Sequence, residues 1–110
     1  MVNYDLTLHI PFPARSGGAV IASQALTVST TAVSFTAYTD AQTDFVVFSV
    51  STSPVRVRWD GTSPTSTVGH LLLPNLSYLF RPAMFNGAKF IRDSTASADA
   101  ALFASPLTLK

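Results

Sequence analysis

Apolar residues in this chain recur at every second position, in one short run after another, and that period limits the fold more than any other feature. In residues 3–10, NYDLTLHI, Tyr4, Leu6, Leu8 and Ile10 fall on one side and Asp5, Thr7 and His9 on the other. Residues 55–60, VRVRWD, repeat the pattern with Val55, Val57 and Trp59 opposed to Arg56, Arg58 and Asp60. Successive side chains of a β-strand point to opposite faces, so such runs describe strands buried on one face. A sustained 3.6-residue apolar stripe, which a packed helix requires, occurs nowhere.

Between the runs stand residues that stop strands. Pro11 and Pro13 remove ladder donors and close the first run. Gly17 and Gly18 follow in ARSGGA, a joint free to adopt positive φ. Residues 1–23 therefore read as an N-terminal extended arm with a Gly-Gly hinge, and residues 24–110 as the body. Within the body, ALTVSTTAVSFTAYT fits two short strands or one with an irregularity near Thr30 and Thr31. DAQTD is a turn, and DFVVFSVS, with Phe45, Val47 and Phe48, is apolar enough for a strand buried on both faces. GTSPTSTVG is a loop on composition. HLLLP and NLSYLFRP follow as strands, the second with Leu76, Tyr78 and Phe80 on one face. Asn86-Gly87, between AMF and AKFIRD, predicts a two-residue hairpin turn. ADAALFASPLTL suits a strand or a short helix; Pro106 and the alternation of Leu107 with Leu109 favour the strand. Seven or eight short strands separated by turns predict an all-β fold, a single small β-sandwich, with the jelly roll as one form it takes.

The chain's 110 residues suffice for one core without staples. Cysteine is absent, which removes disulfides and thiolate metal sites. Charged residues make up 12% of the chain, against about 25% in ordinary domains, while serine and threonine supply roughly a quarter. Hydroxyls cost less to dehydrate than ions, and a net charge of +1 does little to hold copies apart. Both properties suit a chain that works in contact with other subunits. So small a charge leaves nucleic-acid binding without an electrostatic basis. No apolar run is long enough to span a membrane, and MVNYDLTLHIPFPARSGG lacks the pattern of a signal peptide.

Enzyme constellations are thin. His9 and His70 have no local metal spacing, and no nucleophile elbow, phosphate loop or dinucleotide turn occurs. Six aspartates and no glutamate allow a carboxylate pair, but most sit where aspartate bonds its own turn. Asp40 and Asp44 flank a turn without the cadence of a calcium loop. Asn75-Leu76-Ser77 matches a glycosylation sequon inside a predicted strand. No catalytic residue, metal ligand or cofactor is assigned. The candidate interface residues are Arg56 and Arg58, side by side on one outward face, and the apolar face of the arm: Tyr4, Leu6, Leu8, Ile10 and Phe12.

VRVRWDGTSPTSTVGHLLLP, followed after a gap by GAKFIRDSTASADAALFAS, resembles small virion-associated proteins of tailed bacteriophages. Their pattern I/V-R-x-R-x-D-G-T-x-P-T, then G-H-L-L, is met here by Arg56, Arg58, Asp60, Gly61, Thr62, Pro64, Thr65, Gly69, His70, Leu71 and Leu72. Ile91 and Arg92, then Asp99, Ala100 and Leu102, match their closing elements. The likeness covers residues 26–109 in unbroken order. Residues 1–23 have no counterpart, and ALFAS replaces the usual threonine-tyrosine strand. The resemblance implies a non-enzymatic sandwich on the capsid exterior, a decoration or cement protein. Its partners would be the major capsid protein and further copies of itself, as a dimer or trimer.

Against this stands a tail- or fibre-associated module that binds a carbohydrate or host-surface ligand. Such a module needs exposed aromatics, whereas Trp59, Tyr38 and Tyr78 alternate in phase with apolar neighbours and are expected in the core.

Overall fold

The structure, a computed structural model, describes residues 22–38 and 43–108. The arm residues Tyr4, Leu6, Leu8, Ile10 and Phe12, and Asp40 of the calcium-like turn, lie outside them. Among the described residues, seven strands and one helical turn follow in order: β1 (Gln24–Val28), β2 (Phe45–Ser51), β3 (Val55–Arg58), β4 (His70–Leu72), β5 (Leu76–Phe80), α1 (Pro82–Asn86), β6 (Lys89–Arg92) and β7 (Ala100–Leu107). They form two antiparallel sheets, β1-β7-β2-β5 and β4-β3-β6.

Alternation decides which side chains meet. Val46, Phe48 and Val50 of β2, Ala100, Leu102 and Ala104 of β7, and Val55 and Val57 of β3 are all at most 1% exposed and join one cluster fed by both sheets. Phe48 sits at its centre. Its ring lies 4.9 Å from Phe80, 5.6 Å from Tyr78 and 5.6 Å from Phe90, in edge and stacked arrangements that aromatic quadrupoles favour. β2 is central and buries its even-numbered face; Phe45 and Val47 on the other face are only half-buried, so the expectation of burial on both sides does not hold.

Residues 24–38 resolve into β1 and an extended stretch that bridges β6 at Val33 and Phe90. ADAALFASPLTL is a strand, β7, pairing with both β1 and β2.

The hairpin expected at Asn86-Gly87 is replaced by α1. Pro82 occupies the first helical turn, where its missing N–H costs nothing, and Gly87 closes the turn at φ −95° rather than in the positive region. The reason is tertiary. One helical turn carries Phe85 into the end of the core, 4.9 Å from Phe35, which a tight hairpin would leave outside.

The two lateral sides of the paired sheets differ. On the β1/β6 side, residues 29–38 cross from one sheet to the other, held by side-chain amides. Gln24 Nε2 donates to the Thr36 carbonyl and Gln24 Oε1 accepts from the Thr36 N–H, both at 2.8 Å. Asn86 treats Tyr38 in the same way, at 2.7 and 2.9 Å. Each amide stands in for the missing backbone partner of an edge. On the β4/β5 side, no described strand or side-chain amide performs this role.

Candidate functional site

β3 places Arg56 and Arg58 on its outward face, as the alternation predicts, while Val55 and Val57 are fully buried. Both guanidinium groups are engaged within the chain. Arg56 Nε donates to Asp93 Oδ1 at 2.6 Å, and its Nη1 donates to the Gly69 carbonyl at 3.0 Å. Asp93 is buried and also accepts from the Thr95 N–H at 2.9 Å and from the Thr95 hydroxyl. The Thr95 hydrogen bonds first, then Arg56, hold its carboxyl at about 2, well below the usual range. This network ties β3, the end of β6 and the β3–β4 loop together. Arg56 therefore acts as a structural tie, whatever further contact its partly exposed head makes.

Gly69 makes the network compatible with the loop. At φ +138° it approaches β3 so closely that a Cβ would lie 3.1 Å from the Val57 carbonyl and 3.2 Å from Pro64. Its neighbour His70 is thereby set against Trp59.

Arg58 Nη2 donates to Asp60 Oδ2 at 2.6 Å, and Asp60 Oδ1 accepts from the Thr62 N–H. The hydrogen bond from Arg58 lowers the Asp60 pKa, and the same bond raises that of Arg58. Trp59 departs from the expected core placement. β3 ends at Arg58, so strand parity no longer governs the next residue; Trp59 is 36% exposed. Its ring stacks on His70 at 4.6 Å and 12° and meets the edge of Phe80 at 5.5 Å. Arg58, Trp59, Asp60, Gly69 and His70 line an open cleft of about 420 Å³. Tyr38 is buried, as expected, and half-buried Tyr78 stacks on Phe48.

The outer face of the four-stranded sheet is a second feature. Strand register sets Ala25, Phe103, Ser49 and Ser77 in one row across all four strands, and Ser105, Val47 and Leu79 in the next. Thr27, Ala101 and Ser51 form a third row. None of these side chains ionises, and Phe103 and Leu79 are each about half exposed (53% and 51%). The result is a broad wall of hydroxyl and apolar groups, bordered by Arg81, whose guanidinium lies 5.3 Å over the Phe45 ring.

Among the described residues, no group of three or more histidine and carboxylate side chains is arranged to hold a metal, and no helix is long and apolar enough to cross a membrane. Asn75 precedes β5 instead of lying in a strand, at φ +68° on an exposed turn. Asp93, Gln24 and Asn86 escaped the sequence reading. Asp93 had a local signal, a threonine two residues on that completes an Asx-type turn; the two amides had none, because their partners lie 12 and 48 positions away. Comparison with protein-family models, curated proteins and solved structures finds no match to this chain.

Proposed function

We propose that this chain is a structural component of a tailed-phage particle, a decoration or cement protein that binds the capsid exterior and further copies of itself through largely uncharged sheet surfaces. The observation that carries the reading is the outer face of the β1-β7-β2-β5 sheet. Three registered rows without an ionisable group dock on a protein shell with little desolvation penalty. The ion pairs Arg56–Asp93, Arg58–Asp60 and Arg92–Asp99 neutralise much of the remaining charge within the chain.

Strand order supports a jelly-roll β-sandwich as the scaffold. With the Val33 segment counted as a second strand, the sheets read first-eighth-third-sixth and second-seventh-fourth-fifth, the order of a jelly roll. That architecture recurs in viral capsid and lectin domains, so it suits the role without specifying it. The likeness of the Arg56–Leu72 motif to virion proteins gains a physical sense, since Arg56 and Gly69 belong to one tie. The arm, residues 1–23, is proposed to add its alternating strand to a neighbour's sheet edge. Mass-spectrometric copy counting in purified virions tests the reading. Hundreds of copies per particle support the shell, six or twelve support a tail or vertex position, and absence from virions removes the proposal.

The exposed Trp59–His70 stack favours a second reading, a carbohydrate-binding module. An indole edge beside Arg58 and Asp60 offers an apolar platform next to paired hydrogen-bonding groups. Glycan-array binding abolished by His70→Ala and Trp59→Ala, with circular dichroism unchanged, would establish it; an array without hits would dismiss it.

A further inference from the structure

The bare β4/β5 side carries an inference that deepens the self-association part of this reading and does not depend on the shell. β5 pairs only with β2, and β4 only with β3, so each presents a free strand edge among the described residues. The two edges flank each other, since a three-residue connection joins them and the Leu73 N–H donates to the Tyr78 hydroxyl at 2.8 Å. Along them Val68, Leu71, Leu73, Leu76 and Leu79 are each 45% to 51% exposed.

Unprotected edges invite pairing, and proteins blunt them with lysine, inward charges or covering segments. This chain covers its opposite side with residues 29–38 and two side-chain amides, yet β5, LSYLF, holds no charge and no proline. We infer that the β5 edge is a self-pairing surface, on which a second copy of this chain aligns its own β5 antiparallel about a two-fold axis.

Symmetry and charge both favour this occupant. An antiparallel edge is complementary to itself, as an isologous contact requires. With Tyr78 opposite its own copy, Leu76 faces Phe80 and Arg81 faces Asn75, so no like charges meet. Leu73 and Leu76 lie beside this edge, while Leu71 and Leu79 project from the outward faces of the two sheets. The product is one eight-stranded sheet, whose outer rows of hydroxyl and apolar groups double in width.

Sedimentation equilibrium of the full chain from 5 to 500 µM tests the inference, with Leu79→Lys and Leu76→Lys as edge variants and the arm variant Leu6→Ser/Leu8→Ser. Both leucines are about half exposed, and circular dichroism checks that each variant folds. The expected result is a monomer–dimer equilibrium weakened at least tenfold by either lysine and unchanged by the arm variant. Deuterium exchange should slow with concentration at those β5 amides that point away from β2. A monomer throughout the range, a dimer indifferent to both lysines, or an assembly lost in the arm variant each overturns the inference; the last would make the arm the occupant of this edge.

Discussion

Replacing Asp93 by asparagine tests the tie between the motif arginine and the rest of the fold. The carboxylate is buried and receives Arg56 Nε, the Thr95 N–H and the Thr95 hydroxyl. Its pKa falls from 3.8 to about 2, and at 1.36 kcal/mol per pH unit that corresponds to about 2.5 kcal/mol of preferential stabilisation of the ionised form. Arg56 is 26% exposed, and solvent screening brings the expected loss in Asp93→Asn closer to 2 kcal/mol at pH 7. The asparagine retains an acceptor for Thr95, so hydrogen bonding is only partly lost. The sign with pH follows from a depressed carboxylate. The contribution is complete above the unfolded value of 3.8 and disappears as the pH falls toward 2. The wild-type chain should therefore lose this stability between about pH 4 and pH 2, and the variant should lack that component. Urea denaturation at pH 7 and pH 2.5, read by Trp59 fluorescence, measures both. A variant as stable as wild type at pH 7, with the same acid dependence, would refute the role assigned to Asp93.

Gly69→Ala should destabilise by about 2 to 3 kcal/mol, because the added Cβ meets the Val57 carbonyl and Pro64 at a φ that side chains rarely adopt. Gly61→Ala, at φ +86° with open space around it, should cost only about 1 kcal/mol; equal midpoints in thermal melts would contradict this ordering. Gln24→Ala and Asn86→Ala should each cost about 1 to 2 kcal/mol and speed exchange at the Thr36 and Tyr38 amides respectively, with unchanged exchange counting against the edge-covering role.

The apolar side chains that meet in the core were legible to the extent that alternation is local. Val55 and Val57 face inward because adjacent residues of an extended backbone point apart. Ala100, Leu102 and Ala104 obey the same rule, but their segment suited a strand or a helix until its pairing with β1 and β2 was known. The rule fails where a strand stops. Trp59 follows the last residue of β3 and turns outward onto His70, so the phase of VRVRW assigned it to the wrong environment. AMFNG failed for another reason: a turn dipeptide has no means of registering that a cavity nearby awaits Phe85.

By itself the sequence determined that the body is built from short strands, which face of β3 turns inward, and that charged residues are few and hydroxyls many, since each of these properties resides in a few consecutive residues or in composition. Only the tertiary structure decided that Arg56 meets Asp93 across 37 positions, that Asn86 secures Tyr38 across 48, and that β4 and β5 keep their edges while the other side is covered. Those outcomes depend on strand order. Order is set by which distant segments bury the most surface together, a quantity that no local window of residues contains.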